Sequence, residues 1–160
     1  MLIRDEQPGD VPAIRAVVEA AFPQPLEADL VDRLRAEGDS VISLVATDGE
    51  AVVGHVLLSR MAAPFRALGL GPLAVLPGRQ RAGIGGLLVR ESLRRAAAQG
   101  WQGVFVLGDP AYYRRFGFDP ATARGFASPY AGPYLMLLPF SDGIPREGRI
   151  DYAPAFAALG

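Results

Sequence analysis

The sequence predicts an α/β (α+β) fold in which one mixed sheet carries helices on its faces. Three observations support this class. Segments with strand and helix patterns follow one another in the order β-α-α-β-β-β-α-β-α-β-β. Two β-branched runs flank Asp48-Gly49, which is typical of an antiparallel hairpin. The apolar run GVFVL, at the start of 103–109, is typical of a buried strand. A chain of 160 residues suits one domain with one core, over 1–160.

The first half of the chain is predicted to form a strand, two helices and the hairpin. MLIRDE is the first strand. Asp10 is a candidate N-cap of the helix in QPGDVPAIRAVVEAAF, with Pro12 in its first turn. The sequence PQP at 23–25 separates this helix from a second one, LEADLVDRLRAEG, which ends at Gly38. The segment SVISLVATDGEAVVGHVLLSR forms the hairpin.

The second half is predicted to contain a strand–helix–strand unit followed by two late strands. The strand ALGLGPLAVLP leads into a glycine turn and a helix over roughly 84–99, which Gly100 closes. A right-handed connection to the strand at 103–109 makes the two strands parallel. The segment PAYYRRFGF begins with a short helix. The remaining elements are late strands at 134–140 and 148–152, with loops at 119–133 and 141–147.

Charge and hydropathy give no sign of a nucleic-acid or membrane partner. The net charge is −1, and a nearly neutral chain has no electrostatic footprint for nucleic acid. The opening residues, MLIRDEQPGD, become charged after three residues, unlike a signal peptide. No apolar run is long enough to cross a bilayer. We therefore expect a cytoplasmic protein.

Missing residue types restrict the chemistry. The chain has no cysteine, which removes disulfides, thiolate catalysis and cysteine metal ligands. It has no lysine, which removes Schiff-base chemistry and the phosphate-binding lysine of a P-loop. His55 is the only histidine, so a multi-histidine metal site is impossible and no metal cofactor is expected.

The segment RQRAGIGGLL, at 79–88, has the features of an anion-binding turn. The first N–H groups of a helix lack internal partners and lie at the positive end of its dipole. Glycines at 83, 85 and 86 let a phosphate approach these groups closely, and Arg79 and Arg81 add positive charge. On a helical wheel, one arc holds Gly85, Leu88, Val89, Ser92, Leu93 and Ala96, and the opposite arc holds Arg90, Glu91, Arg94 and Arg95.

Two other phosphate motifs fit this turn poorly. A P-loop needs a lysine that the chain lacks. A dinucleotide fingerprint needs a third small residue at 88, where the chain has leucine. A flexible turn without a ligand is the remaining alternative. The position of the glycines at the first turn of a helix favours phosphate binding.

These residues also resemble a known family. The segment LAVLPGRQRAGIGGLLV resembles the acyl-CoA-binding motif of the GCN5-related N-acetyltransferases (GNAT), Gln/Arg-x-x-Gly-x-Gly/Ala, matched by Gln80, Gly83 and Gly85. The segment GDPAYYRRFGF is similar to the second signature of the family, a tyrosine in a short helix followed by Gly-Phe. The resemblance covers nearly the whole chain and is greatest to a bacterial branch of predicted acetyltransferases.

The resemblance implies acetyl-CoA as cosubstrate. In such enzymes the backbone of the glycine turn binds the CoA pyrophosphate. The preceding strand binds the pantetheine arm, bulges, and splays from its parallel neighbour, which suits Gly71-Pro72. The residues thus assigned to the cofactor are Leu73, Ala74, Val75, Gln80, Arg81, Ala82, Gly83, Ile84, Gly85 and Gly86.

The implied reaction moves an acetyl group from CoA to a primary amine by direct attack in a ternary complex. Tyr113 matches the position of the family's general acid, directed at the departing sulfur. Full proton transfer from a tyrosine (pKa about 10) to a thiolate (about 8.5) is uphill by roughly 2 kcal/mol. Tyr113 is therefore expected mainly to donate a hydrogen bond. The alternative is a packing tyrosine, which is the role expected for Tyr112.

The general base stays open at the sequence level. His55 has a suitable ordinary pKa but lies in a strand that is apolar on both faces. Glu19 and Glu27 flank the connection where this fold usually admits the acceptor, and water is the fourth candidate. Asp109 is expected to cap the helix that starts at Pro110.

The acceptor is a small-molecule or peptide amine that the sequence does not identify. The connection at 22–25 and the loop at 119–133 are expected to shape its pocket. A homodimer would be consistent with the fold. The alternative function is a non-catalytic domain that senses acyl-CoA or serves as an interaction module.

Overall fold

A computed structural model of the chain describes residues 1–159. The strands are β1 (Leu2–Asp5), β2 (Ser40–Asp48), β3 (Ala51–Arg60), β4 (Ala67–Val75), β5 (Gly103–Leu107), β6 (Phe126–Ala127), β7 (Leu135–Pro139) and β8 (Gly148–Arg149). The α-helices are α1 (Val11–Ala21), α2 (Leu26–Ala36), α3 (Ile84–Ala98), α4 (Pro110–Tyr113) and α5 (Pro120–Ala123).

Six strands form the central sheet, in the order β1-β2-β3-β4-β5-β7. Strands β4 and β5 are parallel, and every other neighbouring pair in this sheet is antiparallel. The mixed sheet confirms the predicted fold class, including the parallel strand–helix–strand unit. Helix α3 packs on one face of the sheet, and α1 and α2 pack on the other.

The helix faces follow the apolar periodicity of the sequence. In α3 the predicted arc from Leu88 to Ala96 is buried against the sheet. In α1 and α2, Ile14 and Leu34 belong to a second buried cluster on the opposite face. Leu88 and Leu34 are fully buried, so truncating either to alanine should destabilise the fold by about 2–5 kcal/mol.

Strand β4 is irregular where the sequence predicted a break. Gly71 and Pro72 together lie opposite the single residue Leu57 of β3, which is a bulge. The peptide bond between Gly71 and Pro72 is cis.

Beyond the bulge, β4 separates from its parallel neighbour. The β4–β5 pairing runs from Ala67 opposite Gly103 to Leu70 opposite Val106 and stops there. On its β3 side, β4 stays paired as far as Val75. The β5-facing edge of β4 after Leu70 is therefore free to hydrogen-bond a ligand.

Two local predictions were wrong, and a third was right only in position. Asp10 occupies the N-cap position of α1 as predicted, but its carboxylate makes no capping hydrogen bond to that helix. It accepts from the Gln7 N–H at 2.7 Å and pairs with Arg4 at 2.7 Å, because an intervening 3-10 turn places it there. The predicted strand at 148–152 shortens to β8, which pairs with β6 outside the central sheet. The predicted loop at 119–133 contains α5 and β6.

Within residues 1–159, no helix has the length and apolarity that a membrane crossing requires.

Candidate active site

Two cavities of similar size lie on either side of β4 and share the side chain of Leu73. The arginine cavity, of about 500 Å³, is lined by Leu73, Val75, Arg79, Gln80, Arg81, Gly83, Ile84, Gly85, Gly86, Arg90, Tyr112 and Arg115. The aromatic groove, of about 520 Å³, is lined by Phe22, Glu27, Leu30, Leu70, Gly71, Pro72, Leu73, Leu107, Tyr113, Tyr130, Tyr152, Phe156 and Leu159. Both volumes are in the usual range for ligand sites.

The glycine turn forms the floor of the arginine cavity. Gly83 precedes the first residue of α3 with φ +84°, a conformation that glycine adopts readily. Arg81 has φ +66° and is the one residue other than glycine with positive φ in the part of the chain that the structure describes. Such backbone concentrates at functional sites. The N–H groups at the start of α3 are left without helical partners and can bind an anion.

Two side chains hold this turn in place. The Arg79 Nη1 atom donates to Asp48 Oδ2 at 2.7 Å, which joins the turn to the β2–β3 hairpin. Gln80 Nε2 donates to the carbonyl oxygen of Val75 at 3.1 Å, which joins it to the end of β4. Because Arg79 is neutralised by Asp48, the free positive charge of the cavity comes from other residues.

Three arginines at the cavity have no carboxylate partner. Arg81, Arg90 and Arg115 take part in none of the ion pairs found within residues 1–159, although most other arginines there do. The guanidinium of Arg90 lies 5.0 Å from the ring centre of Phe116, and that of Arg115 lies 4.5 Å from the ring centre of Tyr112. These stacks orient the cations and leave their charge free for an anionic ligand.

Gly85 keeps the cavity open. A Cβ atom at this position would lie 2.9 Å from the Tyr112 hydroxyl and 3.8 Å from the side chains of Leu73 and Val75. A larger side chain would therefore occupy the space between the turn and the end of β4. Tyr112 thus lines the cavity with its hydroxyl and packs with its ring.

Tyr113 is directed to the other side and lines the aromatic groove. Its ring packs edge-to-face on Tyr112 and Phe118, with centroids 5.0 and 5.9 Å apart. Burial, with a smaller contribution from Tyr112, raises the pKa of Tyr113 to about 12. The hydroxyl therefore stays protonated and can donate a hydrogen bond at physiological pH.

Gly108 allows this placement of Tyr113. A Cβ atom at position 108 would lie 2.6 Å from Cε2 of the Tyr113 ring. Asp109 accepts from the Ala111 N–H at 2.9 Å and so caps α4 as predicted, which fixes the start of the helix that carries the tyrosine. The role of Gly108 was not predicted, since a close approach between a backbone and a ring leaves no pattern in one sequence.

Glu27 is the only one of the three candidate bases that lines either cavity. Glu19 pairs with Arg15 at 3.3 Å on the outer side of α1. His55 is fully buried in β3, and its Nε2 lies 2.8 Å from the Ser43 hydroxyl. Burial lowers the pKa of His55 to about 4, with Glu6 and Arg35 acting in opposite directions, so the imidazole is neutral.

Most of the predicted cofactor residues come together at the arginine cavity. Two do not line it with a side chain: Ala74 is buried on the α1 and α2 face, and Ala82 is exposed beside the turn. Arg90, Arg115 and the hydroxyl of Tyr112 were missed. Arg90 could have been found, because it follows Gly86 by four residues and so lies above it on the same side of α3.

The free edge of β4 lies between an arginine-rich cavity that can bind an anion and an aromatic groove. Comparisons with known proteins identify the family. Residues 39–120 match the sequence model of a family described as Acetyltransferase (GNAT) domain. The chain therefore belongs to the GNAT family.

Curated relatives and solved structures support this assignment over most of the chain. The uncharacterized N-acetyltransferase YhbS of Escherichia coli K12 is 41% identical over 125 residues, covering 76% of this chain and 75% of YhbS. The uncharacterized N-acetyltransferase YjhQ of the same organism is 38% identical and covers 78% of this chain and 73% of YjhQ.

Two solved structures match almost the full length. The crystal structure of E. coli YhbS in complex with CoA has a TM-score of 0.91 at 33% identity, covering 99% of this chain and 93% of that one. A GNAT family acetyltransferase from Brucella melitensis in complex with acetyl-CoA has a TM-score of 0.84 at 39% identity and covers 97% of both chains.

Proposed function

We propose that the protein is an acetyl-CoA-dependent N-acetyltransferase in which a primary amine attacks the thioester directly in a ternary complex. The observation that carries the proposal is the meeting of the two cavities at Leu73, beside the free edge of β4. A polyanionic carrier and an uncharged or cationic acceptor can thus be held at the same time on either side of one strand.

The arginine cavity holds the pyrophosphate of CoA. The backbone from Arg81 to Gly86 supplies N–H donors, with Gln80 fixing the turn. Arg81, Arg90 and Arg115 supply charge that no carboxylate neutralises. Guanidinium groups bind phosphate oxygens with strong, charge-assisted hydrogen bonds. The glycine-rich helix N-terminus and three cations together match a pyrophosphate better than they match a single carboxylate.

The free edge of β4 binds the pantetheine arm and positions the thioester. The backbone at Leu73, Ala74 and Val75 follows the bulge and has no partner strand on the β5 side. A backbone N–H in this stretch can polarise the thioester carbonyl as negative charge develops on its oxygen. Positioning supplies most of the catalysis, because an amine needs little covalent help to attack a thioester.

Tyr113 stabilises the departing thiolate by donating a hydrogen bond. With the pKa of Tyr113 at about 12 and an ordinary thiol pKa of about 8.5, proton transfer would be uphill by roughly 5 kcal/mol. The proton therefore stays on the tyrosine oxygen while the hydrogen bond strengthens as the C–S bond breaks.

The acceptor is still an ammonium ion when it reaches the Glu27 carboxylate. An alkyl ammonium group has an ordinary pKa of about 10.4, so the acceptor arrives charged, and the Glu27 carboxylate in the groove attracts it. The proton leaves to water at the open mouth of the groove, and the neutral amine attacks.

Calorimetry tests the cofactor half of this proposal. Acetyl-CoA should bind with micromolar affinity, desulfo-CoA should bind similarly, and ATP should bind far more weakly. Release of free CoA in the presence of amines then separates an enzyme from an acyl-CoA sensor. Acetyl-CoA binding without transfer to any amine favours the sensor, and the absence of binding by folded protein contradicts both functions.

A cytoplasmic location, a homodimer and the lack of nucleic-acid partners stay predictions. Size-exclusion chromatography with light scattering measures directly whether the protein is a homodimer.

A further inference from the structure

We propose that the acceptor is a primary amine attached to an apolar, preferably aromatic, body that occupies the aromatic groove. This inference rests on the proposed function and adds the class of substrate. Its chemistry is shared by a free arylalkylamine and by a peptide whose first residue is large and apolar.

The groove leaves apolar surface open to solvent. Leu107 and Leu159 line it and are 45% and 39% exposed, although both are large apolar side chains. They come from distant parts of the chain, the end of β5 and the last described turn, and both line the groove. An apolar body placed between them removes this surface from water.

Glu27 is the one charged side chain that lines the groove within residues 1–159, and it takes part in no ion pair there. A cationic ligand in the groove can therefore supply the partner of this carboxylate. One carboxylate in an apolar surface matches one ammonium group, whereas a polyamine would bring further cations that have no partner.

One buried polar atom of a groove residue lacks a hydrogen-bond partner. The Tyr152 hydroxyl is buried and makes no hydrogen bond, although the ring lines the groove. Burial, with smaller effects from Tyr130 and Tyr113, raises the pKa of Tyr152, so the hydroxyl is a neutral donor and acceptor. A buried hydroxyl without a partner is unfavourable, and an amine N–H in the groove can supply the missing hydrogen bond.

The ring of Tyr152 cannot easily turn away. A Cβ atom at Gly69 would lie 2.6 Å from its Cε1 atom, and Phe156 packs on its other side with a centroid distance of 4.9 Å. The ring is thus held against the groove that Tyr113 also lines, with its buried hydroxyl unpartnered. An amine held between Glu27 and Tyr152 would lie on the acceptor side of β4.

The step balances without a further reactant. The amine nitrogen forms a bond to the acetyl carbon as the C–S bond breaks, and the electron pair of that bond stays on sulfur. The amine gives up one proton to water before attack and one after it. The CoA thiolate regains a proton from solvent.

The test compares matched amines under saturating acetyl-CoA. Phenethylamine and a peptide beginning with leucine represent the two sources, and ethanolamine, spermidine and a peptide beginning with aspartate are the polar controls. We expect kcat/KM to be at least about tenfold higher for an apolar amine than for its polar control, as burial of its apolar surface predicts. The better of the two apolar amines identifies the source. Equal or better use of ethanolamine or spermidine would overturn the inference and leave the proposed transferase intact.

Two variants test the residues. Glu27→Gln should raise the KM for the apolar amine about tenfold, and Tyr152→Phe about fivefold, while the Kd of acetyl-CoA stays within twofold. Their matched controls are Glu37→Gln, at the far end of the same helix, and Tyr134→Phe, an exposed tyrosine outside the groove. KM values that are unchanged in both test variants would overturn the inference.

If no amine is acetylated, binding of an apolar amine tests the proposed acceptor class instead. In that case phenethylamine is titrated into protein saturated with CoA. Binding that Glu27→Gln weakens about tenfold supports the inference although transfer has failed. No binding at millimolar phenethylamine overturns the inference, while calorimetric binding of acetyl-CoA still reports separately on the cofactor site.

Discussion

The arginine cavity and the aromatic groove have nearly equal volumes and share Leu73, yet their chemistry is opposite. Three unpaired guanidinium groups surround the first, while the second has a single carboxylate among aromatic and aliphatic side chains. Both cavities reach β4 at Leu73, and the edge of β4 after Leu70 has no partner strand on the β5 side. In the proposed function, this difference in charge lets each cavity select its own ligand: the arginine cavity binds the polyanionic carrier, and the aromatic groove binds the amine.

The largest expected effect concerns the floor of the arginine cavity. Gly85→Leu should weaken acetyl-CoA binding by about 100-fold or more, because the side chain would enter the space in front of Tyr112. Calorimetry measures the affinity. Gly9→Leu is the control, since nothing lies within 4 Å of a Cβ at that position. Unchanged affinity in Gly85→Leu would place the cofactor elsewhere.

Removing the Tyr113 hydroxyl, on the side of the aromatic groove, should affect turnover and not cofactor binding. Tyr113→Phe should lower kcat on the order of 100-fold, because the leaving thiolate loses its hydrogen-bond donor. The acetyl-CoA affinity should stay within twofold. Tyr112→Phe is the matched change on the cofactor side and should leave kcat within threefold. If the two variants behave alike, the different positions of the two rings have no catalytic meaning.

Gly108→Ala tests whether the position of the Tyr113 ring matters, because it keeps the hydroxyl. The added methyl group would lie 2.6 Å from the Tyr113 ring, so the ring must shift. We expect kcat to fall about tenfold with little change in acetyl-CoA affinity, since displacing a catalytic group by about 1 Å is costly. Steady-state kinetics with amine and acetyl-CoA varied separately measures both. A normal kcat would show that the position of the ring does not matter.

Single arginines should have smaller effects. Arg90→Ala or Arg115→Ala should weaken acetyl-CoA binding about fivefold each, and the loss should shrink as salt is raised from 0.05 to about 0.5 M, because exposed charges are screened. The KM of the amine should not change. Arg124→Ala, an exposed arginine that lines neither cavity, is the control. A salt-independent loss would contradict an electrostatic role.

His55 lies outside both cavities, so it should affect stability and not turnover. Its pKa of about 4 in the fold lies below the ordinary 6.5, so the unfolded chain binds a proton first as pH falls. The stabilisation is complete above about pH 6.5 and is lost toward pH 4, by about 3 kcal/mol in all.

Urea unfolding at pH 7 and pH 4.5 tests this expectation. His55→Gln should lose less stability between these two values than the unchanged protein does, while its kcat/KM profile with pH stays the same. A shifted kcat/KM profile would instead make His55 part of the proton path.

The same comparison explains which parts of the site the sequence could predict. The arginine cavity is built mainly from a continuous stretch that ends β4 and begins α3, so its glycines and Gln80 form a local pattern. The fold was predictable for a similar reason, because apolar periodicity and the Asp48-Gly49 turn act over short distances. Arg115 was missed, since only the folded chain brings the 3-10 turn after α4 next to α3.

The aromatic groove could be predicted only in part. Phe22 and Tyr130 line it, and they lie in the connection at 22–25 and the loop at 119–133, which were expected to shape the acceptor pocket. Leu107 and Phe156 come from other segments, and no spacing in the sequence connects them to these two. The segment 148–152 was expected to form a late strand. Instead, the chain pairs briefly through Ala62 and Asp151 and then turns to place Tyr152 and the last 3-10 turn against the groove.

The most direct test of the account is a matrix of initial rates in which acetyl-CoA and the best amine of the series are varied together. If both cavities are filled before transfer, double-reciprocal plots should intersect, and a CoA analogue without the thioester should compete with acetyl-CoA and not with the amine. Parallel lines would mean that the acetyl group passes first to the protein. That result would contradict direct transfer between two ligands held on either side of β4.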